Sequence, residues 1–163
     1  MRQAVQLNPS TDNFLYLAAC LREQDDSDSE AKELFSRILA ENPNHYEALW
    51  SMGLLADDLQ EAFNFFSRAS QIKPDDWRMH NNMGWALAQM QRFEEALGAF
   101  EQARRVVHEN PADISIAIAG VYQDMGRYKE ALENAERATI ENPDSQEARE
   151  LLAEIKVAGP DVT

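Results

Sequence analysis

The chain is poor in cysteine, in basic residues and in long apolar runs, and each shortage closes off a class of function. A single cysteine among 163 residues, Cys20, excludes an internal disulfide and any metal site built from cysteines alone. It lies in the apolar helical run LYLAACL, where a packed thiol is expected rather than a reactive one. Lys and Arg total 15 against 29 Asp and Glu, a formal charge of -14. Such a surplus repels nucleic acid and anionic lipid, and it favours basic partners or a solvated outer face. No stretch approaches the roughly 18 apolar residues of a membrane-crossing helix, and the first residues lack the apolar core of a signal peptide. Membrane insertion is therefore not expected, and a cytoplasmic location is. There is no glycine-rich phosphate loop and no His-Glu-x-x-His, and His45, His80 and His108 lie far apart in the chain. No catalytic residue, metal ligand set or cofactor is expected. Paired carboxylates such as Glu94–Glu95 and Asp57–Asp58 read as helix-start and turn chemistry.

What is present is a repeating helical pattern. Apolar residues make up 44% and aromatics 9%, enough for a core. The clearest copy runs from Asp75 to Ala103. Asp75 and Asp76 are acceptors suited to cap a helix starting near Trp77, in which Met79, Met83, Trp85, Leu87 and Met90 recur at helical intervals. A polar break at Gln91–Arg92 leads to a second helix with Phe93, Ala96, Leu97, Phe100 and Ala103 on one side. The small residues Gly84 and Ala96 let the two backbones approach, and Phe93 and Phe100 fill the space around them.

The pattern recurs. Gly84 to Ala96, Ala19 to Ala31 and Ala119 to Ala131 are each twelve residues apart, whereas Gly53 to Ala62 is nine. The second helices then read Ala31, Phe35, Ile38, Pro43 and Ala62, Phe66, Ala69, Pro74; the third copy has His108 in place of the proline, and the fourth has Ala135 in place of the aromatic. The three missing residues of the second copy fall between Gly53 and Leu59, so its first helix should end near Ala56 or Asp57 and meet the next at a tight Asp57–Asp58 junction. Ser27 and Glu30 have capping-box spacing, and Asn110–Pro111 reads as a cap followed by a first-turn proline. Gly126–Arg127 reads as an inter-helix turn, and 144–157 as an isolated amphipathic helix stopped by Gly159–Pro160.

On these residues the chain resembles the tetratricopeptide repeat, whose signature is an aromatic, a Leu-Gly pair, a Tyr, then Ala, Phe and Pro in order. His80, Met83, Gly84 and Leu87 stand for the first part, Ala96 and Phe100 for the second. The resemblance implies an all-α fold, a right-handed α-α superhelix that stacks antiparallel helix pairs as a solenoid. The expected division is 1–9, the tail of a preceding incomplete repeat in what reads as a fragment of a longer array; 10–43, 44–74 (shortened), 75–110 (long second helix) and 111–143, four repeats; and 144–163, a capping helix and tail.

A second stripe on each first helix lies opposite the packing stripe at 100° per residue. It holds Asn13, Tyr16, Cys20 and Glu23; Glu47, Trp50 and Leu54; Arg78, Asn81, Trp85 and Ala88; and Asp113, Ile116, Gly120 and Gln123. The resemblance implies that this stripe lines a concave groove that holds peptides. Tyr16, Trp50 and Trp85 would be aromatic anchors, with Leu54, Arg78, Asn81, Asn82 and Gln123 around them. The four lysines, Lys32, Lys73, Lys129 and Lys156, all lie off the stripe, so a clamp on a C-terminal carboxylate is disfavoured and a partner with apolar and basic residues fits better. The expected function is a non-enzymatic protein-interaction module or scaffold. Two other readings stand beside it: a regulatory or substrate-recruiting arm of a larger enzyme, and an array that self-associates as a homo-oligomer.

Overall fold

The structure, a computed structural model, describes residues 28–107 and 111–159. Tyr16, Cys20, the Ser27 cap, His108 and Asn110 lie outside them. All regular structure among the described residues is helical: α1 Asp28–Glu41, α2 Tyr46–Leu55, α3 Leu59–Ile72, α4 Trp77–Gln89, α5 Phe93–Val106, α6 Ala112–Asp124, α7 Tyr128–Glu141 and α8 Gln146–Ala158. None of these helices is long and apolar enough to cross a membrane. The chain divides into two compact units, Met1–Pro74 and Asp75–Thr163.

In the first unit α2 packs between α1 and α3. Ala31, Leu34, Phe35 and Ile38 of α1 share a core with Ala48 and Leu55 of α2, and Met52 packs against it. Helix α2 has only 10 residues and stops at Leu55, with Ala56 already extended. Asp58 then caps α3 by accepting from the Glu61 amide at 2.9 Å. The short connection works because one carboxylate meets an orphan N–H at once. Gly53 explains how closely α2 and α3 approach: a Cβ there would stand 2.5 Å from Cε1 of Phe66.

The second unit repeats that geometry twice and adds a helix. α4 pairs with α5, α6 pairs with α7, and α8 packs on α7 and α6. The first helices α4, α6 and α8 touch in succession and so form one layer; α5 and α7 back it. At the first pair, a Cβ on Gly84 would stand 2.6 Å from Cε1 of Phe100, the same contact that Gly53 makes possible with Phe66. At the second pair the apposed residues are Ala119 and Ala131, both fully buried in a core with Ala135 and Ile155, against which Leu132, Leu151 and Leu152 pack. This is how the last helix covers the apolar side of the preceding pair.

The junctions follow from local chemistry. Asp76 caps α4 through the Arg78 amide, and Ser145 caps α8 through the Ala148 amide. Asn42 and Asn142, each ahead of a proline, turn the chain by accepting from the amide two residues on, Asn44 and Asp144. α5 and α7 start without a side-chain cap; the arginine before each, Arg92 and Arg127, instead ties the first turn by pairing with Glu95 and Glu130 at 2.7 Å. The turns before them need a left-handed residue, supplied by Gln91 (φ 60°) in one and Gly126 (φ 71°) in the other.

Candidate functional site

The face of each first helix that its partner helix does not cover is where function can sit. On α4 the buried residues are Met79, Gly84, Ala86 and Leu87. Arg78, Asn81, Trp85 and Ala88 therefore fall on the other side at helical spacing. Trp85 is 44% exposed, a large apolar surface to leave in water. Its indole is held by Phe100 in a T-shaped contact, ring centres 5.6 Å apart and planes at 82°. Phe100 itself is fully buried and reaches this place only because Gly84 has no side chain. The residue that lets the helices meet thus also lets Phe100 prop the exposed indole.

Polar groups surround it. Arg78 lies along the same face with its guanidinium on Asp76, Nη2 donating to Oδ2 at 2.6 Å and Nε to Oδ1 at 2.9 Å. Asn81 and Asn82 are half-buried, and among the described residues Oδ1 of Asn81 has no hydrogen-bond donor.

On α6 the corresponding positions are Asp113, Ile116, Gly120 and Gln123. Ile116 is buried in a core with Ala138 and Ala148. Gly120 faces open space, since a Cβ there would meet nothing within 4 Å. Gln123 is tied down: its amide donates to Oε1 of Glu154 at 2.9 Å, linking α6 to α8.

Of the residues expected from the sequence, Arg78, Asn81, Asn82, Trp85 and Gln123 share the α4–α6–α8 layer of the second unit. Trp50 and Leu54 share one face of α2 in the first unit, Trp50 half-buried and Leu54 46% exposed. Tyr16 lies outside the described residues.

Three models of the tetratricopeptide repeat family match the sequence, over residues 12–45, 78–139 and 116–163. The chain belongs to the tetratricopeptide repeat family. Residues 46–77 lie between the matched stretches. Solved structures of the same fold include the MamA protein, with a TM-score of 0.80 at 18% identity over 91% of this chain and 81% of that one. Pseudomonas aeruginosa PilF matches with 0.78 at 17%, over 90% and 68%. A thermophilic tetratricopeptide protein of Thermus thermophilus matches with 0.68 at 22%, over 96% and 87%. At these identities the likeness shows the fold, an all-α tetratricopeptide solenoid of antiparallel helix pairs, and the family is one of protein-interaction scaffolds.

The family register brings in residues that the sequence reading left out of the site. Glu154 stands 34 residues after Gly120, which stands 35 after Trp85, so the three are equivalent positions on successive first helices of the repeat. The bond from Gln123 to Glu154 fits that alignment. Helix α8, read from the sequence only as a cap, therefore continues the same face with Glu147, Glu150, Glu154 and Val157, the last 85% exposed. The signal available in the sequence was the repeat interval carried one step past the last complete repeat.

Among the described residues no group of three or more His, Cys, Asp or Glu could hold a metal ion. The shifted groups Glu95, Glu130 and Arg104 each stand in an ion pair. Hydrogen bonds from Arg92 and Arg127 hold the carboxyls of Glu95 and Glu130 below their ordinary value. Burial draws the Arg104 guanidinium down from its ordinary value.

Proposed function

We propose that this tetratricopeptide chain is a non-catalytic interaction scaffold that takes an extended or short helical segment of a partner protein on the exposed face of its first helices. The observation that supports this reading is Trp85, 44% exposed and propped by Phe100 in a T-shaped contact. A rigid indole offers a large apolar contact at little entropic cost, the character of an interface anchor. Asn81 and Asn82 would receive the partner's backbone, the Oδ1 of Asn81 accepting an N–H after a small side-chain rotation. Trp50 and Leu54 play the same part on α2 in the first unit. The partner offers apolar and basic side chains, because the chain carries -14 and the guanidinium on the same face of α4, that of Arg78, is engaged by Asp76. The reading includes no catalytic chemistry and no nucleic-acid partner, and it keeps the repeat limits 44–74, 75–110 and 111–143.

The test is capture of partners from lysate by the wild-type chain, by Trp85→Ala, and by Trp50→Ala with Trp85→Ala, all shown equally helical by circular dichroism. The reading expects a specific protein to be retained by the wild type and lost stepwise in the variants. A partner captured equally by all three would overturn it.

A further inference from the structure

The exposed face of the second unit is not uniform across its three first helices. On α4 it carries the exposed indole of Trp85 with Ala88 beside it, and Arg78 and Asn81 toward the start of the helix. On α6 it is recessed at Gly120, where nothing stands within 4 Å of a would-be Cβ. On α8 it is acidic, with Glu147, Glu150 and Glu154. The carboxylates of Glu150 and Glu154 accept from neutral amides, Gln146 at 2.6 Å and Gln123 at 2.9 Å. Among the described residues neither faces a cation within salt-bridge distance, so both charges remain to be met from outside. The two cations of α8 are turned elsewhere, Arg149 to the carbonyls of Pro143 and Asp144 and Lys156 to Glu136 of α7.

We infer that α8 is the charge-reading end of this site, and that the partner is a peptide segment bearing one apolar side chain and, five or six residues away, arginine or lysine. The inference rests on the reading just given and adds spacing and polarity to it. The apolar side chain lies against Trp85, the backbone crosses the gap over Gly120, and the cation meets Glu150 and Glu154. Neighbouring packed helices lie about 8–10 Å apart, so α4 and α8, with α6 between them, are roughly 16–20 Å apart. An extended chain advances about 3.3–3.6 Å per residue, which gives roughly five or six residues between the two anchors. A side chain at position 120 would fill the recess that the backbone needs.

The experiment uses the full chain labelled with 15N and synthetic 12-residue Ser/Gly peptides carrying one leucine and two adjacent arginines. The separation between them runs from two to nine residues, in both orders. Amide and indole shifts are followed at low salt. The inference expects the Trp85 indole and the amides of Glu150 and Glu154 to shift together, most strongly at a separation of five or six. Glu150→Gln with Glu154→Gln should weaken binding about tenfold, as two exposed ion pairs would, and leave the Trp85 indole shift at saturation in place. Gly120→Leu should abolish the joint shift while preserving the helical spectrum. Trp85 shifting without α8, or equal binding when glutamates replace the arginines, overturns this inference and leaves the anchor reading standing. If no peptide moves either Trp85 or α8, both fall.

Discussion

Adding one methyl group should have opposite effects at two glycines of the same repeat. Gly84 and Gly98 are both interior to helices, so Ala at either gains about 1 kcal/mol of helix propensity. At Gly98 a Cβ meets nothing within 4 Å, and the gain should appear whole. At Gly84 the new carbon would lie 2.6, 2.7 and 2.8 Å from Cε1, Cδ1 and Cζ of Phe100. Carbon pairs rest at about 3.5–4.0 Å, so the ring must retreat by roughly 1 Å. It has little room to do so, being fully buried and in T-shaped contact with Trp85. Overpacking of this kind costs about 1–3 kcal/mol. Gly98→Ala should therefore stabilise by about 1 kcal/mol and Gly84→Ala destabilise by up to about 2 kcal/mol. The gap between the two variants, about 1–3 kcal/mol, contains no propensity term. Urea melts followed by circular dichroism measure it, and a double-mutant cycle with Phe100→Leu assigns it to the ring. In that background, Gly84→Ala should lose at least about 1 kcal/mol of its penalty. If Gly84→Ala stabilises as much as Gly98→Ala, the close approach does not exist and Phe100 does not prop Trp85 past Gly84.

Three further outcomes follow from the junctions and buried contacts. Gln91 holds φ 60° where Gly126 holds φ 71° in the equivalent turn, so Gln91→Gly should raise stability by about 0.5–1 kcal/mol and Gly126→Ala lower it by about 1 kcal/mol, read from urea midpoints. Ser115 is fully buried and its hydroxyl donates to Glu141 at 2.6 Å, so Ser115→Ala should cost about 2 kcal/mol, measured the same way. The Arg92–Glu95 and Arg127–Glu130 pairs hold both carboxyls low, so their contribution is complete above the ordinary carboxylate value of 4.5 and is lost as pH falls through the lowered folded-state values. The stability difference between wild type and Arg92→Met with Arg127→Met should accordingly vanish on acidification, and a difference that grows instead would contradict the pairing.

The pairing of helices was legible because it is written in local chemistry. The Gly84–Ala96 interval, the Asp76 cap, the early stop of α2 at Leu55 and the Asp58 junction all depend on residues close in sequence, and each is where that chemistry puts it. The unusual turn at Gln91 was readable as a break and not as a left-handed residue, because a glutamine carries no mark of positive φ. The candidate site was partly legible. Helical periodicity alone puts Trp85 on the uncovered face, and the 44% exposure agrees with it. Periodicity says nothing of Phe100 reaching the indole past Gly84, or of Gln123 spending its amide on Glu154, since both depend on side chains meeting across helices. The acidic face of α8 was missed because a terminal helix without a partner reads as a cap, a role that accounts for Ile155 and Leu151 but not for the opposite side.

The most direct test of the account places a photo-reactive benzoylphenylalanine at Gln89, one turn beyond Trp85 on α4, and in a second protein at Glu133, exposed on α7 in the backing layer. Irradiation in cells should give a cross-linked partner from position 89 and none from position 133, and the product should disappear when Trp85→Ala is added. A partner captured from position 133 and not from 89, or one indifferent to Trp85, would place the binding surface on the second helices and contradict the account.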